Sequence, residues 1–220
     1  LKDITLRALE ILKVCDLIAA EDTRDSIKLL NHFKITKKII SCNKDNEREA
    51  TEYILKQLKA GLNISLVSSA GTPLVSDPGS FLLKRVREEN YKIVPVPGVS
   101  AITTAVSAFP DGKLPFLFTG FLPMEGKKIE ELCNELLYFD GTWIFYESPK
   151  RIIDSLTILK IFFNDSKIMI AREMTKIFEE FIEGTLQTVL SRLSNQEMKG
   201  EFTVLLELDA KKITTNLKDM

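Results

Sequence analysis

Ser68-Ser69-Ala70-Gly71-Thr72-Pro73-Leu74-Val75-Ser76-Asp77-Pro78-Gly79 places small, stiff and capping residues between two segments of different periodicity. Leu62 to Val67 alternates and ends apolar as a strand does, whereas Phe81 to Arg87 reads as a helix. Gly71 admits backbone angles closed to other residues and lets a ligand approach the main chain, while Thr72 and Pro73 stiffen the exit. Asp77 is the expected N-cap of the following helix and Pro78 its first residue, where a missing N–H costs nothing. A strand-to-helix junction of this kind lies at the carboxyl edge of an α/β sheet, where ligands bind. The stretch is neither a P-loop nor a dinucleotide fingerprint, since no Gly-Lys-Ser/Thr follows and no G-x-G-x-x-G occurs.

The chain alternates on both sides of this junction. Upstream, Asp3 caps an expected helix through Val14 with Ile4, Ala8, Ile11 and Leu12 on one face. A strand at Leu17 to Ala20, a helix at Arg24 to His32, a strand at Lys38 to Ser41 and a helix from Asn46 to Ala60, stopped at Gly61, lead back to Leu62. Downstream come a helix from Asp77 to Asn90, a strand from Lys92 to Val96, and a small-residue helix opened by Pro97-Gly98-Val99-Ser100-Ala101. Strands separated by long helices predict right-handed crossovers and a parallel sheet.

Phe109-Pro110-Asp111-Gly112 carries the densest turn chemistry and marks the expected domain boundary, giving an α/β domain over 1–111 and a second over 112–210. The second holds strands at Phe116 to Phe121, Thr142 to Tyr146 and Lys167 to Arg172, with helices at Lys127 to Tyr138 and Lys150 to Phe162. Ile177 to Glu183 and Phe202 to Leu208 are alternating strands around a helix from Thr185 to Leu193, the pattern of a mixed or antiparallel sheet. Residues 211–220 have little apolar content and read as a frayed tail.

Composition removes several classes of function. A chain of 220 residues that is 45% hydrophobic and 28% charged can bury one large or two modest cores. It has no apolar run long enough to cross a bilayer and no secretory pattern, so the cytoplasm is the expected compartment. Cys15, Cys42 and Cys133 lack C-x-x-C spacing and His32 has no partner histidine, so neither a disulfide frame nor a metal site is expected. A formal net charge of −1 argues against a general nucleic-acid coat, so any such contact is local.

Charge is concentrated at strand ends. Ala20-Glu21-Asp22-Thr23-Arg24 follows one apolar strand, and Tyr146-Glu147-Ser148-Pro149-Lys150-Arg151 follows another with two bases at a helix start, where they oppose the dipole and suit an anionic partner. Ala171-Arg172-Glu173-Met174-Thr175-Lys176 joins two strands, and Gly200-Glu201 opens the last one.

In order and spacing, these motifs resemble the tetrapyrrole-methylase superfamily across nearly the whole chain, and its ribosomal-RNA-modifying branch in particular. The resemblance implies two α/β domains, a mostly parallel N-terminal sheet and a mixed C-terminal one, with S-adenosylmethionine bound in the cleft between them. It places Ala70, Gly71, Thr72, Val75, Ser100, Ala101, Glu147 and Met174 at the donor, and it implies no metal. Ser69 stands where the family commonly has Asp, and it is left out of that set. The family's first strand, with its Pro-Ile-Gly-Asn-Leu-type loop, is expected to precede Leu1, and a helical C-terminal extension of longer members is absent from this sequence.

The implied reaction is methyl transfer to the ribose 2′-hydroxyl of a decoding-centre cytidine in small-subunit rRNA, by a homodimer. Alignment of the two substrates contributes about 7–11 kcal/mol to such a step, and a base a further ~10²–10⁴-fold. The expected catalytic residues are Glu173, Glu147 and Lys176. Arg24, Arg172, Lys150 and Arg151 are the expected RNA contacts, with Lys127-Lys128 extending the track and an assembled subunit preferred to naked RNA. The alternatives are C-methylation of a tetrapyrrole and a non-catalytic donor-binding ribosome factor.

Overall fold

A computed structural model of the chain describes residues 1–194 and 197–210; the tail expected over 211–220 lies outside the described residues. The chain divides into two compact units, Leu1–Ser100 and Ala101–Met220.

The first unit is a three-stranded parallel sheet between two helical layers. Strand β1 (Leu17–Ala20) lies at its centre, flanked by β2 (Lys38–Ser41) and β3 (Ile64–Val67). All four β1 residues are buried, which is why its sequence is a continuous apolar run. Ala19 faces α3 (Glu47–Lys59) and α4 (Ser80–Glu88), whereas Ile18 and Ala20 face α1 (Leu6–Val14) and α2 (Thr23–His32).

Three local expectations change. Thr5, not Asp3, caps α1, its hydroxyl accepting from Ala8 N at 3.1 Å. Helix α4 begins at Ser80, with Gly79 rather than Asp77 as its N-cap. Lys92 to Val96 forms no strand. Pro95 and Pro97 remove two alternate donors, so one edge of that segment cannot complete a ladder.

The second unit opens with α5 (Ala101–Val106), which packs on the last strand of the unit. The division therefore falls ahead of the Phe109–Gly112 turn. Strands β4 (Phe116–Phe121), β5 (Gly141–Glu147), β6 (Lys167–Arg172), β7 (Glu180–Thr185) and β8 (Phe202–Leu208) form one sheet in the order β4-β5-β8-β6-β7. Only β4 and β5 are parallel; every other pair is antiparallel.

One face of this sheet presents Trp143, Phe145, Ile168, Ile170, Val204 and Leu206 to α6 (Gly126–Leu136), α7 (Ile152–Phe163) and α8 (Leu186–Leu193). Within that core the Trp143 indole N–H donates to the Thr119 hydroxyl at 2.9 Å. Strand β7 starts at Glu180 rather than Ile177, because Ile177 and Phe178 are 94% and 75% exposed in the turn before it.

Candidate functional site

In the first unit the register sets Ala20 beside Ser41 and Val67, so the segments leaving β1, β2 and β3 emerge together at the carboxyl edge. Two main-chain bonds extend the ladder there, Cys42 N to Ala20 O at 2.8 Å and Glu21 N to Val67 O at 3.1 Å. Glu21 then reaches across, its Oε2 accepting from Ser69 N at 3.0 Å.

The 68–79 loop is conformationally unusual. Gly71, Leu74, Ser76 and Gly79 all have positive φ. The described non-glycine residues with positive φ are Lys34, Leu74, Ser76, Asn90, Glu173 and Thr175. Lys34 and Asn90 follow the C-caps of α2 and α4, where a left-handed residue is routine. The other four lie in this loop and in the 173–176 turn, both singled out by the sequence. Residues held in such regions are found at ligand sites because surrounding contacts fix them there.

Ser69, Ala70 and Gly71 are exposed, so their main chain is accessible. The Thr72 hydroxyl donates to Val99 O at 3.0 Å, joining the loop to the Pro97–Ser100 segment. The structure thereby brings together the expected donor-binding residues Ala70, Gly71, Thr72 and Val75 with the segment that ends at Ser100; Ala101 begins α5 in the second unit. Burial, and then the charge of Glu21, push the Asp77 carboxyl up to about 6, while Ser68 and Lys44 act the other way.

Arg24, at the start of α2, holds its neighbour Asp22 at 2.6 Å with its own side chain 85% exposed. The guanidinium lowers the Asp22 carboxyl to about 2.

In the second unit, Phe202 pairs with both Glu147 and Arg172, and Arg172 with Glu180, so the ends of β5 and β6 and the starts of β8 and β7 form one row. Glu147, Lys150, Arg151, Arg172, Glu173, Met174 and Lys176 accordingly lie on or just beyond the same sheet edge. Their partners differ from the expectation for three of them.

Glu147 is buried, and both its oxygens are taken. Oε1 receives Ser148 N and the Arg151 guanidinium, both at 2.6 Å, and Oε2 receives the Ser155 hydroxyl at 2.7 Å. In place of an exposed base or donor contact, Glu147 is thus the internal anchor of the β5–α7 turn. The Arg151 guanidinium, an expected RNA contact, is also taken up within the unit: it donates to Leu122 O and Pro123 O at 3.0–3.3 Å, tying the loop after β4 to the one after β5. Arg172 spends its Nε–H on Lys199 O at 2.8 Å and faces Glu180 at 3.4 Å, so it fastens the chain just before β8. Lys150 is exposed.

Glu173 has φ 49° and accepts from Lys176 Nζ and Glu201 N, each at 2.9 Å. Lys176 also meets Glu201 at 3.0 Å. The lysine ammonium, joined by the Glu201 N–H, holds the Glu173 carboxyl below its usual range. Despite partial burial, Glu173 and Glu201 raise the Lys176 ammonium. Gly200 makes this packing possible: a Cβ there would stand 2.5 Å from Glu173 Cγ, at φ +97°.

Glu47 was not visible as a site residue in the sequence. Its carboxylate caps α4 from more than thirty residues away, a pairing no local pattern encodes. Among the described residues no group of three or more His, Cys, Asp or Glu is placed to hold a metal, and no helix is long and apolar enough to cross a membrane.

A parallel α/β unit followed by a mixed five-stranded α/β unit, each with motif-bearing loops gathered at a sheet edge, is the architecture of class III methyltransferases. Cobalt precorrin-4 methyltransferase shares the fold at a TM-score of 0.68 with 17% identity, over 94% of this chain and 89% of that one. The methyltransferase CobJ shares it at 0.69 with 19% identity, over 95% and 90%.

Residues 1–190 match the model of the tetrapyrrole (corrin/porphyrin) methylases, and the chain belongs to that family. Among its relatives, proteins named ribosomal RNA small subunit methyltransferase I from Borrelia garinii subsp. bavariensis and Thermotoga maritima are 42% and 41% identical. Each alignment spans 94% of this chain, and 93% and 92% of the respective relative. The Synechocystis sp. protein of the same name is 41% identical over 94% of this chain and 74% of its own length.

Proposed function

We propose that this protein is an S-adenosylmethionine-dependent methyltransferase acting on small-subunit ribosomal RNA, at the ribose 2′-hydroxyl of a decoding-centre cytidine. The observation that carries the reading is about 40% identity, over 94% of the chain, to relatives that bear a small-subunit rRNA methyltransferase name. The cytoplasm, a homodimeric state and the particular nucleotide come with the family resemblance.

The residues present suit the donor. An adenosyl sulfonium is uncharged at the base and cationic at sulfur, so it calls for accessible main chain rather than a phosphate cradle. The exposed Ala70–Gly71 main chain, braced by Thr72 against Val99, offers that. Ala70, Gly71, Thr72, Val75 and Ser100 would hold it, and the family resemblance adds Ala101 and Met174. Bound, it supplies a methyl group on sulfur that is open to in-line displacement.

The protein's own residues then position the acceptor. Glu173, rigid between Lys176 and Glu201, orients the ribose hydroxyl through hydrogen bonding and charge. Because its carboxyl is held below the usual range, it takes a proton less readily than an unpaired glutamate, and alignment supplies the larger part of the acceleration. Lys176 fixes Glu173. Glu147, through Arg151, fixes the loops beside it. Arg24 and Lys150, both exposed, meet RNA phosphates, while Arg172 holds the 199–201 segment.

Incubation with labelled donor and either small ribosomal subunits or a tetrapyrrole tests the reading. Label is expected on a ribose oxygen of 16S rRNA, with subunits better than naked rRNA. Label in the tetrapyrrole, or in neither substrate, overturns it. Glu173→Gln is expected to lower kcat by about 10²-fold; near-normal turnover would remove Glu173 from the chemistry.

A further inference from the structure

Helix α4 leaves the 68–79 loop with no cap of its own, since Gly79 at its N-cap position has no side chain. A helix start leaves several N–H groups without intrahelical partners, and burying them unpaired is costly. Here a single atom takes three. Glu47 Oε1 accepts from Gly79 N at 3.0 Å, Phe81 N at 2.9 Å and Leu82 N at 3.2 Å. The next residue, Arg48, sets its guanidinium 5.0 Å from the centre of the Phe81 ring, so two consecutive residues of α3 grip the same turn of α4.

The grip is itself referenced to the sheet. Asn46 Nδ2 donates to Ser41 O at 3.2 Å, and Asn46 Oδ1 accepts from Asn43 N at 2.8 Å, so the start of α3 is fixed to the end of β2. Gly79 is equally constrained, because at φ +122° an added Cβ would lie 2.8 Å from Leu66 Cδ2 of β3. The loop starts where the chain leaves β3 at Val67, and Glu47 holds its far end at Gly79. Between them Leu74 and Ser76 keep positive φ, sparsely populated conformations for non-glycine residues that persist only where surrounding contacts fix them.

We propose that Glu47 is a positioning residue for the donor site: through the N-terminus of α4 it sets the shape of the 68–79 loop and thereby the affinity for the methyl donor. The affinity clause rests on the donor-binding reading above, and the loop clause stands on the geometry alone.

The test uses the whole chain with Glu47→Ala, Glu47→Gln and, as a control for destabilisation alone, Ile54→Val in the buried face of the same helix. Backbone hydrogen exchange is followed across 68–82, and S-adenosylhomocysteine is titrated as the probe. Glu47→Ala is expected to speed exchange at residues 70–82 by at least about tenfold and to weaken the probe about tenfold or more. Glu47→Gln keeps an acceptor oxygen and is expected to restore most of both effects. Ile54→Val should lower the melting temperature without changing loop exchange.

Unchanged exchange in Glu47→Ala, or equal exchange in Glu47→Ala and Ile54→Val, overturns the proposal. Should the wild type fail to bind the probe, the donor reading falls while the exchange data still decide the role of Glu47. If Glu47→Ala does not fold, Glu47→Gln against Glu47→Asp supplies the comparison, with faster loop exchange expected in the shorter Asp; equal exchange in these two would also overturn the proposal.

Discussion

Replacing Asp77 by Asn should stabilise the first unit at neutral pH and leave it unchanged in acid. The carboxyl is pushed from 3.8 to about 6, chiefly by burial and then by Glu21. The folded state therefore prefers the protonated form. That preference contributes stability fully present below pH 3.8 and lost as pH rises through about 6. At about 1.4 kcal/mol per pH unit the ceiling is about 3 kcal/mol, and because the group is only partly buried, solvent screening reduces this to about 1–1.5 kcal/mol.

Asparagine cannot ionise, so the variant keeps at pH 8 what the wild type has lost. With about 2–4 °C per kcal/mol for a chain of this size, the variant should melt about 2–6 °C higher at pH 8 and within error of wild type at pH 4. Melting followed at pH 4, 5, 6, 7 and 8 gives the difference curve, which should rise between 3.8 and about 6 with its midpoint about halfway between them and level off above about 6, the whole curve ending at lower pH in Glu21→Gln. A difference that is flat with pH, or a midpoint unmoved by Glu21→Gln, refutes the assignment of the shift to burial plus Glu21.

Glu147→Ala should cost about 3–5 kcal/mol, because Arg151 is left beside an empty carboxylate site, and a denaturation cycle with Ser155→Ala should show coupling of about 0.5–3 kcal/mol. Arg151→Met should cost about 3–5 kcal/mol, because it strands the buried Glu147 carboxylate as well as losing the Leu122 and Pro123 contacts, whereas Lys150→Ala should stay within about 0.5 kcal/mol of wild type and weaken only subunit binding, both read by urea unfolding and a binding titration. Thr119→Val should cost about 1–3 kcal/mol by leaving the buried Trp143 N–H unpaired, measured by thermal melting.

Much of the fold was legible because it rests on short-range periodicity. The apolar run at Leu17–Ala20, the segment Lys167–Arg172 and the alternation at Phe202–Leu208 announced strands, and the helices between strands of the first unit announced crossovers. The segment Lys92–Val96 misled for a local reason: its alternation resembles a strand, but two prolines remove the donors a ladder requires. Asp77-Pro78 misled for a distant one. The sequence pattern of a cap was complete, yet a carboxylate from another helix occupies the capping position, and Asp77 bonds Ser68 instead.

The candidate site divided in the same way. Its loops were readable, since Gly, Pro and clustered charge at strand ends are local signals. The roles of individual charges were not, because they depend on which partners the register supplies. Glu147, Arg151 and Arg172 read as functional charges in the chain and are drawn inward by Ser155, by the Leu122 and Pro123 carbonyls and by Lys199 O.

By itself the sequence determined where strands, helices and motif-bearing loops occur, since backbone propensity and side-chain period act over a few residues. Only the tertiary structure decided that Phe202 stands between Glu147 and Arg172, that Glu47 closes the far end of the Ser68–Gly79 loop, and that Asp77 holds its proton up to about 6. Those outcomes come from strand pairing, hydrogen bonding and burial between residues far apart in the chain, which no local pattern specifies.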